Sequence, residues 1–400
     1  MEHWQRNLYT VWFTQILSLT GFGFVLPFIP FFLQELGVTD PVELKQWVGW
    51  ISAVPGISMG IAAPIWGALS DRYGRKLMML RAMATGTIIL AIMSTVQSPM
   101  SVLLLRLCQG FFTGTVTAAA TLVAAGTPSD KLSSSLGLLA SSTFIGYIIG
   151  PTIGGLSAEY LGYRVSFLIG SGVMLTSFIL VLFLVREPKE GRKQRNKENG
   201  KRGISAFSEA VRALPWKQIG PLLIILFLLR AARSMPTPFL PIQVQLLRGK
   251  VEGAAAIMGA ISGVIGLVTA ISGILLGKLG DRHPRLKLIS IFALAASILV
   301  LPASVMNSIM GFTIFFVAGS FFAGGLEPLM QSHLTSLTSA ENRGTLFGIQ
   351  TTVGSLGWAI SPLIGSVLSI HFSIPSVFVA MSGFLFLASF VARINYKKHR

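Results

Sequence analysis

Acid is scarce in this chain. Asp and Glu number 15 against 32 Lys and Arg, for a formal charge of +17, and charged residues make up only 12% of the 400 positions. A soluble domain carries roughly a quarter of its residues charged, and so few could not cover the surface of a chain that is 52% hydrophobic. There is a single cysteine, Cys108, which cannot close an intrachain disulfide and leaves the redox compartment open. The GxxxxGK[ST] phosphate loop is missing, which argues against a nucleotide-driven pump. The few Ser, His and Asp side chains show no spacing that suggests a nucleophile, so neither an enzyme, nor a cofactor, nor a metal site is expected.

What the chain has instead is long apolar runs, among them 134–158, 165–185, 253–276 and 372–392. Each is long enough to cross a hydrocarbon core, which takes about 20 helical residues. The positive charge is clustered rather than spread: ten of the 32 basic residues lie between 186 and 217. That placement points away from nucleic acid and toward loops at a membrane surface. Hydropathy predicts twelve spans, near 9–36, 46–70, 77–97, 100–124, 133–157, 163–185, 218–246, 253–277, 286–304, 308–332, 344–368 and 372–392. The first of these reads as a span, not a cleaved leader. With both termini placed inside, the inner loops and their flanking turns hold 25 basic residues and the outer loops 4. The positive-inside rule then sets cytoplasmic termini. Trp47, Trp50 and Trp66, near the two ends of the second span, read as interface anchors.

The chain also repeats itself. Shifted by 210 residues, Gly67, Leu69, Asp71, Arg72 and Arg75 fall on Gly277, Leu279, Asp281, Arg282 and Arg285. "PFIP" at 27–30 returns as "PFLP" at 238–241, and "FFTG" at 111–114 as "FFAG" at 321–324. Gly137, Gly146, Pro151 and Gly154 return as Gly348, Gly357, Pro362 and Gly365. A shift of 210 or 211 held over four separate places implies duplication, two six-span halves related in parallel as in repeat-built transporters. The expected division is 1–185, a cytoplasmic linker at 186–217, and 218–400. In the repeated loop, a carboxylate at a helix end can accept bonds from another helix's free N–H groups or pair with an arginine. Such a contact holds one conformation and must break in another, a gating role for Asp71, Arg72, Arg75, Asp281, Arg282 and Arg285.

"GALSDRYGRK" resembles the signature loop of the major facilitator superfamily. "RLCQGFFTG", Arg106 to Gly114, resembles its fourth-span motif, and "GYIIGPTIGG", Gly146 to Gly155, the fifth-span motif of its drug:proton antiporters. The second copy of the loop departs from the pattern, with Pro284 in place of glycine and Leu286 in place of lysine. The resemblance covers the whole chain and implies an all-α fold of twelve transmembrane helices in two six-helix pseudo-repeats. It also implies a part in proton transfer for Arg106. In the fifth span Gly146, Gly150 and Gly154 lie four apart on one face, where another helix can pack closely. Pro151 removes a backbone bond and Gly155 adds to the smooth surface, so the resemblance implies a seam against the other half.

Charges inside a membrane are costly and mark interior sites. Arg230 and Arg233 lie three apart near the middle of the seventh span, on one helical face. Glu327, in the tenth span beside Pro328, is the carboxylate expected to carry a coupled proton; a permanent structural pair with an arginine is the alternative. The first span, "SLTGFGFVLPFIPFF", lacks the acid that many similar antiporters carry. Gln15, Phe24, Phe28, Phe239, Gln243, Gln331, Gln350 and Trp358 are expected to line a substrate cavity with the two arginines. The function expected is secondary transport by alternating access, exporting lipophilic compounds or drugs in exchange for protons. Alternatives are a transporter of one anionic metabolite, a lipid or lipid-linked sugar flippase, or a receptor that lost transport. Expected partners are the bilayer, a small molecule and protons, with a monomer as the working unit in a prokaryotic plasma membrane.

Overall fold

A computed structural model describes residues 3–25, 27–128, 131–187, 212, 214–338 and 343–398. Most of the expected linker, and the side chains of Asp71 and Arg72, lie outside the described residues. The described regular elements are sixteen α-helices. The first eight are α1 (His3–Gly23), α2 (Ile29–Glu35), α3 (Pro41–Tyr73), α4 (Arg75–Met93), α5 (Pro99–Phe112), α6 (Thr115–Gly126), α7 (Leu132–Leu161) and α8 (Tyr163–Leu184). The others are α9 (Trp216–Ser234), α10 (Leu240–Arg248), α11 (Ala254–Arg282), α12 (Arg285–Ala303), α13 (Ile309–Gly324), α14 (Leu326–Ser336), α15 (Arg343–His371) and α16 (Pro375–Lys398). Among the described residues, nine stretches are long and apolar enough to cross a membrane. Large apolar side chains such as Phe183 and Met310 stand 75% and 72% exposed, which suits lipid and not water. The fold is all-α and multi-spanning.

Four pairs of helices are single apolar runs broken midway, and the breaks are written in the sequence. Between α1 and α2 lie Phe24–Phe28, with Pro27 in the gap and Pro30 opening α2. Between α5 and α6 sits Gly114 at φ +121, a conformation that favours glycine. Pro236 and Pro238 separate α9 from α10 by removing two backbone donors. Gly325 alone separates α13 from α14. Two of the caps match as well: Ser98 accepts from the Ser101 N–H at the start of α5, and Ser308 from the Gly311 N–H at the start of α13. Those serines are 210 residues apart.

Two compact units divide the chain. Unit 1 is Met1–Val38, Ile57–Lys201 and Glu252–Gly266; unit 2 is Thr39–Gly56, Arg202–Val251 and Leu267–Arg400. In unit 1, buried Met78, Met79, Met83 and Met174 join Leu8, Val11, Ala119 and Leu122 in one core. Methionine's flexible side chain fills irregular gaps between helices. In unit 2, α12 and α16 run antiparallel and are clasped by two reciprocal serine pairs. Ser290 Oγ donates to Ser389 O at 3.1 Å and Ser389 Oγ to Ser290 O at 2.7 Å. Ser297 and Ser382 repeat the exchange at 2.9 Å each way.

The glycines of α7 meet two helices: α1, and α11, which lies in the 218–400 segment that the resemblance implied as the partner of this seam. Gly146, Gly150 and Gly154 pack on α1 of the same half. A Cβ on Gly146 would stand 2.6 Å from Leu19 Cβ, one on Gly150 2.7 Å from the Thr20 carbonyl, and one on Gly154 would collide with the Phe24 carbonyl. The neighbouring face, with Ile148, Thr152 and Gly155, meets the start of α11 inside unit 1. There Gly155 abuts Ala255 and Gly259, and Gly263 abuts Thr152. Thr152 Oγ1 also donates to Gly259 O at 3.4 Å. α7 continues through Pro151 as one 30-residue helix.

Candidate functional site

The break at Gly325 creates a helix N-terminus within an apolar run, and Glu327 lies in the first turn of α14. An acid is favoured there by the helix dipole. Across from it, the C-terminal end of α9 presents Arg230 and, in its last turn, Arg233. Arg230 gives two bonds to one carboxylate oxygen, Nε to Oε1 at 3.0 Å and Nη2 to Oε1 at 2.5 Å. Arg233 Nη1 stays 3.9 Å from Oε2. The Arg230 and Glu327 side chains are each 30% exposed and Arg233 is 60% exposed. The group therefore holds one positive charge in excess.

The seat of Arg230 is Gly354 on α15, a glycine that nothing in the sequence marks. A Cβ there would collide with Arg230 Nη1 and stand 2.5 Å from Cζ. The guanidinium thus occupies the space that a side chain at position 354 would need. One turn earlier on the same face, Gln350 is 5% exposed and its Nε2 has no hydrogen-bond partner among the described residues. Gln243 on α10 is 3% exposed with Oε1 unpartnered. Gln331 is exposed one turn beyond Glu327. Trp358 is 42% exposed, and its carbonyl accepts from Ser234 Oγ at 3.4 Å, beside Arg233.

In unit 1 the polar groups lie along α5 and at the start of α6. Gln15, 1% exposed, donates Nε2 to Thr115 Oγ1 at 3.3 Å, while its Oε1 is unpartnered. Arg106, 9% exposed, donates Nη1 to Gln109 Oε1 at 2.7 Å. Phe24, Phe28 and Phe239, expected at a cavity wall, are fully buried and spend their surface on packing. Phe28 stacks on Tyr163 at 5.4 Å between centroids and meets Phe167 edge-on at 5.3 Å. Phe239 fills the space left by Gly365. Sequence could flag these rings as apolar but not say which surface they served.

The repeated loop is built differently in its two copies. In the first, Gly74 at φ +103 opens α4, and the Arg75 and Lys76 N–H groups donate to the two oxygens of Glu187 at 3.0 and 2.7 Å. Glu187 was missed; its signal was an acid directly after Arg186 at the end of the sixth run. In the second copy Pro284 opens α12 without a side-chain cap. Asp281 and Arg282 are exposed, and Arg285 Nη1 reaches Ser332 O at 3.4 Å. Trp66, read as an interface anchor, instead turns inward. Its Nε1 donates to Phe111 O at 2.7 Å, and Arg81 Cζ lies 3.4 Å above its ring centre. A cavity of about 370 Å³, lined by Gly280, His283, Pro284, Arg285, Leu286, His333 and Tyr396, lies at this loop and does not include the Glu327 group.

Broken helices carrying intramembrane charges at the breaks define a transporter fold. The family model for the Major Facilitator Superfamily matches residues 11–319 and 222–399. The chain is 31% identical to a "Multi-drug resistance efflux pump PmrA homolog" of Lactococcus lactis subsp. lactis, over 99% of this chain and 96% of that one. It is 31% identical to "Multidrug resistance protein MdtG" of Yersinia enterocolitica, over 94% and 89%. Among solved structures, a bacterial homolog of the human lysosomal transporter Spinster superposes with TM-score 0.78 at 15% identity, over 99% of this chain and 97% of that one. The chain belongs to the major facilitator superfamily. It is a secondary transporter of the drug-efflux type and a multi-pass integral membrane protein, not an enzyme.

Proposed function

We propose that this protein exports lipophilic compounds by alternating access, coupled to protons that enter and leave at Glu327. The proposed architecture is twelve spans, with α1–α2, α5–α6, α9–α10 and α13–α14 each forming one broken span. The proposed halves are 1–185 and 218–400, joined by a linker at 186–217, with both termini cytoplasmic in a prokaryotic plasma membrane. The curated relatives' names, a multi-drug efflux pump and a multidrug resistance protein, support the drug reading.

The observation that carries the proposal is the pairing of Glu327 with Arg230 at two helix breaks, 3.0 and 2.5 Å apart. A proton on Glu327 removes the charge that holds α9 to α14, so protonation and helix position are linked. Arg106, bonded to Gln109 in the other unit, is the further residue proposed to act in proton transfer. Within unit 2, Gln243, Gln331, Gln350 and Trp358 are the proposed contacts to substrate, together with Arg233. Gating is assigned to Asp71, Arg72 and Arg75, with Asp281, Arg282 and Arg285 as the weaker copy. Gly146, Gly150, Pro151, Gly154 and Gly155 hold α7 against α1 and α11.

Proteoliposomes carrying a lumenal pH dye test this. A gradient of a transported lipophilic compound should drive proton movement in the wild type and not in Glu327→Gln. Proton movement of equal size in that variant would remove Glu327 from the coupling role.

A further inference from the structure

We propose that the substrates carry an anionic group alongside their lipophilic body, and that Arg233 anchors it while Arg230 stays with Glu327. This rests on reading the Glu327 group as the transport site, and it names the chemistry that group accepts.

The two arginines are not equivalent. Arg230 sends Nε and Nη2 to a single oxygen of Glu327, and its remaining edge, Nη1, is pressed onto Gly354. It has little left to offer. Arg233 is 60% exposed, its nearest anionic atom is 3.9 Å away, and its side chain makes no hydrogen bond among the described residues. That separation is beyond hydrogen-bond range. An arginine in an apolar span is costly unless paired, so its open donors call for an acceptor from outside the chain.

Charge balance selects the sign of that acceptor. Two guanidiniums face one carboxylate, and a single negative group on Arg233 brings the cluster to neutrality. A cation would find the carboxylate already taken and a bare guanidinium beside it. Within unit 2 no other described acid competes, since Asp40, Glu43 and Asp281 sit at helix ends. A second observation agrees: the Gln350 side chain, buried and without a partner at Nε2, holds an N–H donor on the α15 face that carries Gly354. Donors without acceptors suit an anion. The exposed Trp358, whose backbone is bonded to Ser234, supplies an apolar surface close by for the rest of the molecule.

The test uses three probes of nearly one shape, 2-naphthylacetate, 2-naphthylacetamide and 2-naphthylethylammonium. Binding is measured to the full chain in phosphatidylcholine nanodiscs. The acetate should bind about tenfold tighter than the amide, as expected for a charge-assisted bond. Arg233→Ala should erase that difference, and Arg233→Lys, which keeps the charge, should retain part of it. Glu327→Gln should tighten the acetate and leave the amide unchanged. Adding phosphatidylglycerol separates a soluble anion from a lipid headgroup. Undiminished acetate binding supports the soluble substrate; displacement that depends on Arg233 keeps the anionic anchor and makes its ligand a headgroup. Equal binding of the three probes, binding of none, or a preference for the ammonium lost in Glu327→Gln would overturn the proposal. Proton-coupled flux of a cation without acetate preference sinks this inference and spares the coupling role. Acetate preference without any flux does the reverse.

Discussion

At the scale of single residues, the Glu327 cluster depends on a residue with no side chain. Gly354 leaves room for the Arg230 guanidinium, and any Cβ there meets the far end of a flexible side chain before it meets backbone. Gly354→Ala should therefore displace Arg230 from Glu327 while leaving the helices in place. Expected is a loss of coupled flux of about tenfold, the scale of one charge-assisted hydrogen bond, with the melting temperature nearly unchanged. Adding Arg230→Lys should restore part of the flux, because a compact ammonium needs less space than a planar fork. A packing defect would not be rescued that way, so an additive loss in the double variant rejects the role of Gly354. The candidate site was partly legible at this scale. Arg230, Arg233 and Glu327 stood out because charge in an apolar run is rare. Gly354 did not, because one glycine among 42 carries no mark of its neighbour.

At the scale of elements, two kinds of helix contact can be ranked. Glycine interlocks place α7 within backbone contact of α1 and α11, whereas hydroxyl exchanges clasp α12 to α16. Adding side-chain volume to a packed interface costs about 1–3 kcal/mol, while a hydrogen bond between membrane helices averages about 0.6 kcal/mol. Gly154→Val should accordingly lower thermal stability in detergent several times more than Ser297→Ala; the reverse order would show that the serines carry α12 and α16. Gly259→Val tests the other face of α7, and an equal loss of stability is expected there. A third prediction concerns the start of α4, where Glu187 takes two backbone N–H groups. Glu187→Gln keeps the shape but removes the charge that favours a helix N-terminus. Earlier hydrogen exchange in the first turn of α4, with α12 unchanged, is the expected result. The sequence announced these breaks and glycine faces through proline, glycine and spacing, but it did not separate Gly146, Gly150 and Gly154, which meet α1, from Gly155, which meets α11. Spacing says that a face is smooth; the partner is set by packing between segments more than a hundred residues apart.

At the scale of the whole molecule, the proposed topology makes a measurable claim. With 25 basic residues assigned inside and 4 outside, the positive-inside rule supports the proposed orientation. Alkaline phosphatase fused within 188–211 or after Arg400 should be inactive, and fluorescent protein at those places should be bright. A fusion after Lys250 should behave in the opposite way. Active phosphatase in the linker would invert the protein in its membrane. The units also show why halves read from a repeat differ from units read from contacts. α3 and α11 each contribute one end to each unit, and a sequence repeat cannot reveal which neighbours a long helix has at its two ends.

The sequence by itself determined that the chain is helical, embedded in a membrane, and rich in positive charge at a few fixed places. Those properties follow from composition and local spacing, because hydrophobic run length, proline, glycine and charge act where they stand. Tertiary structure alone decided that Arg230 rather than Arg233 holds Glu327, that Gly354 seats it, that Glu187 caps α4, and that Phe24, Phe28 and Phe239 pack inside. Each of these is a meeting of residues far apart in the chain, fixed by which helices lie side by side and at what height.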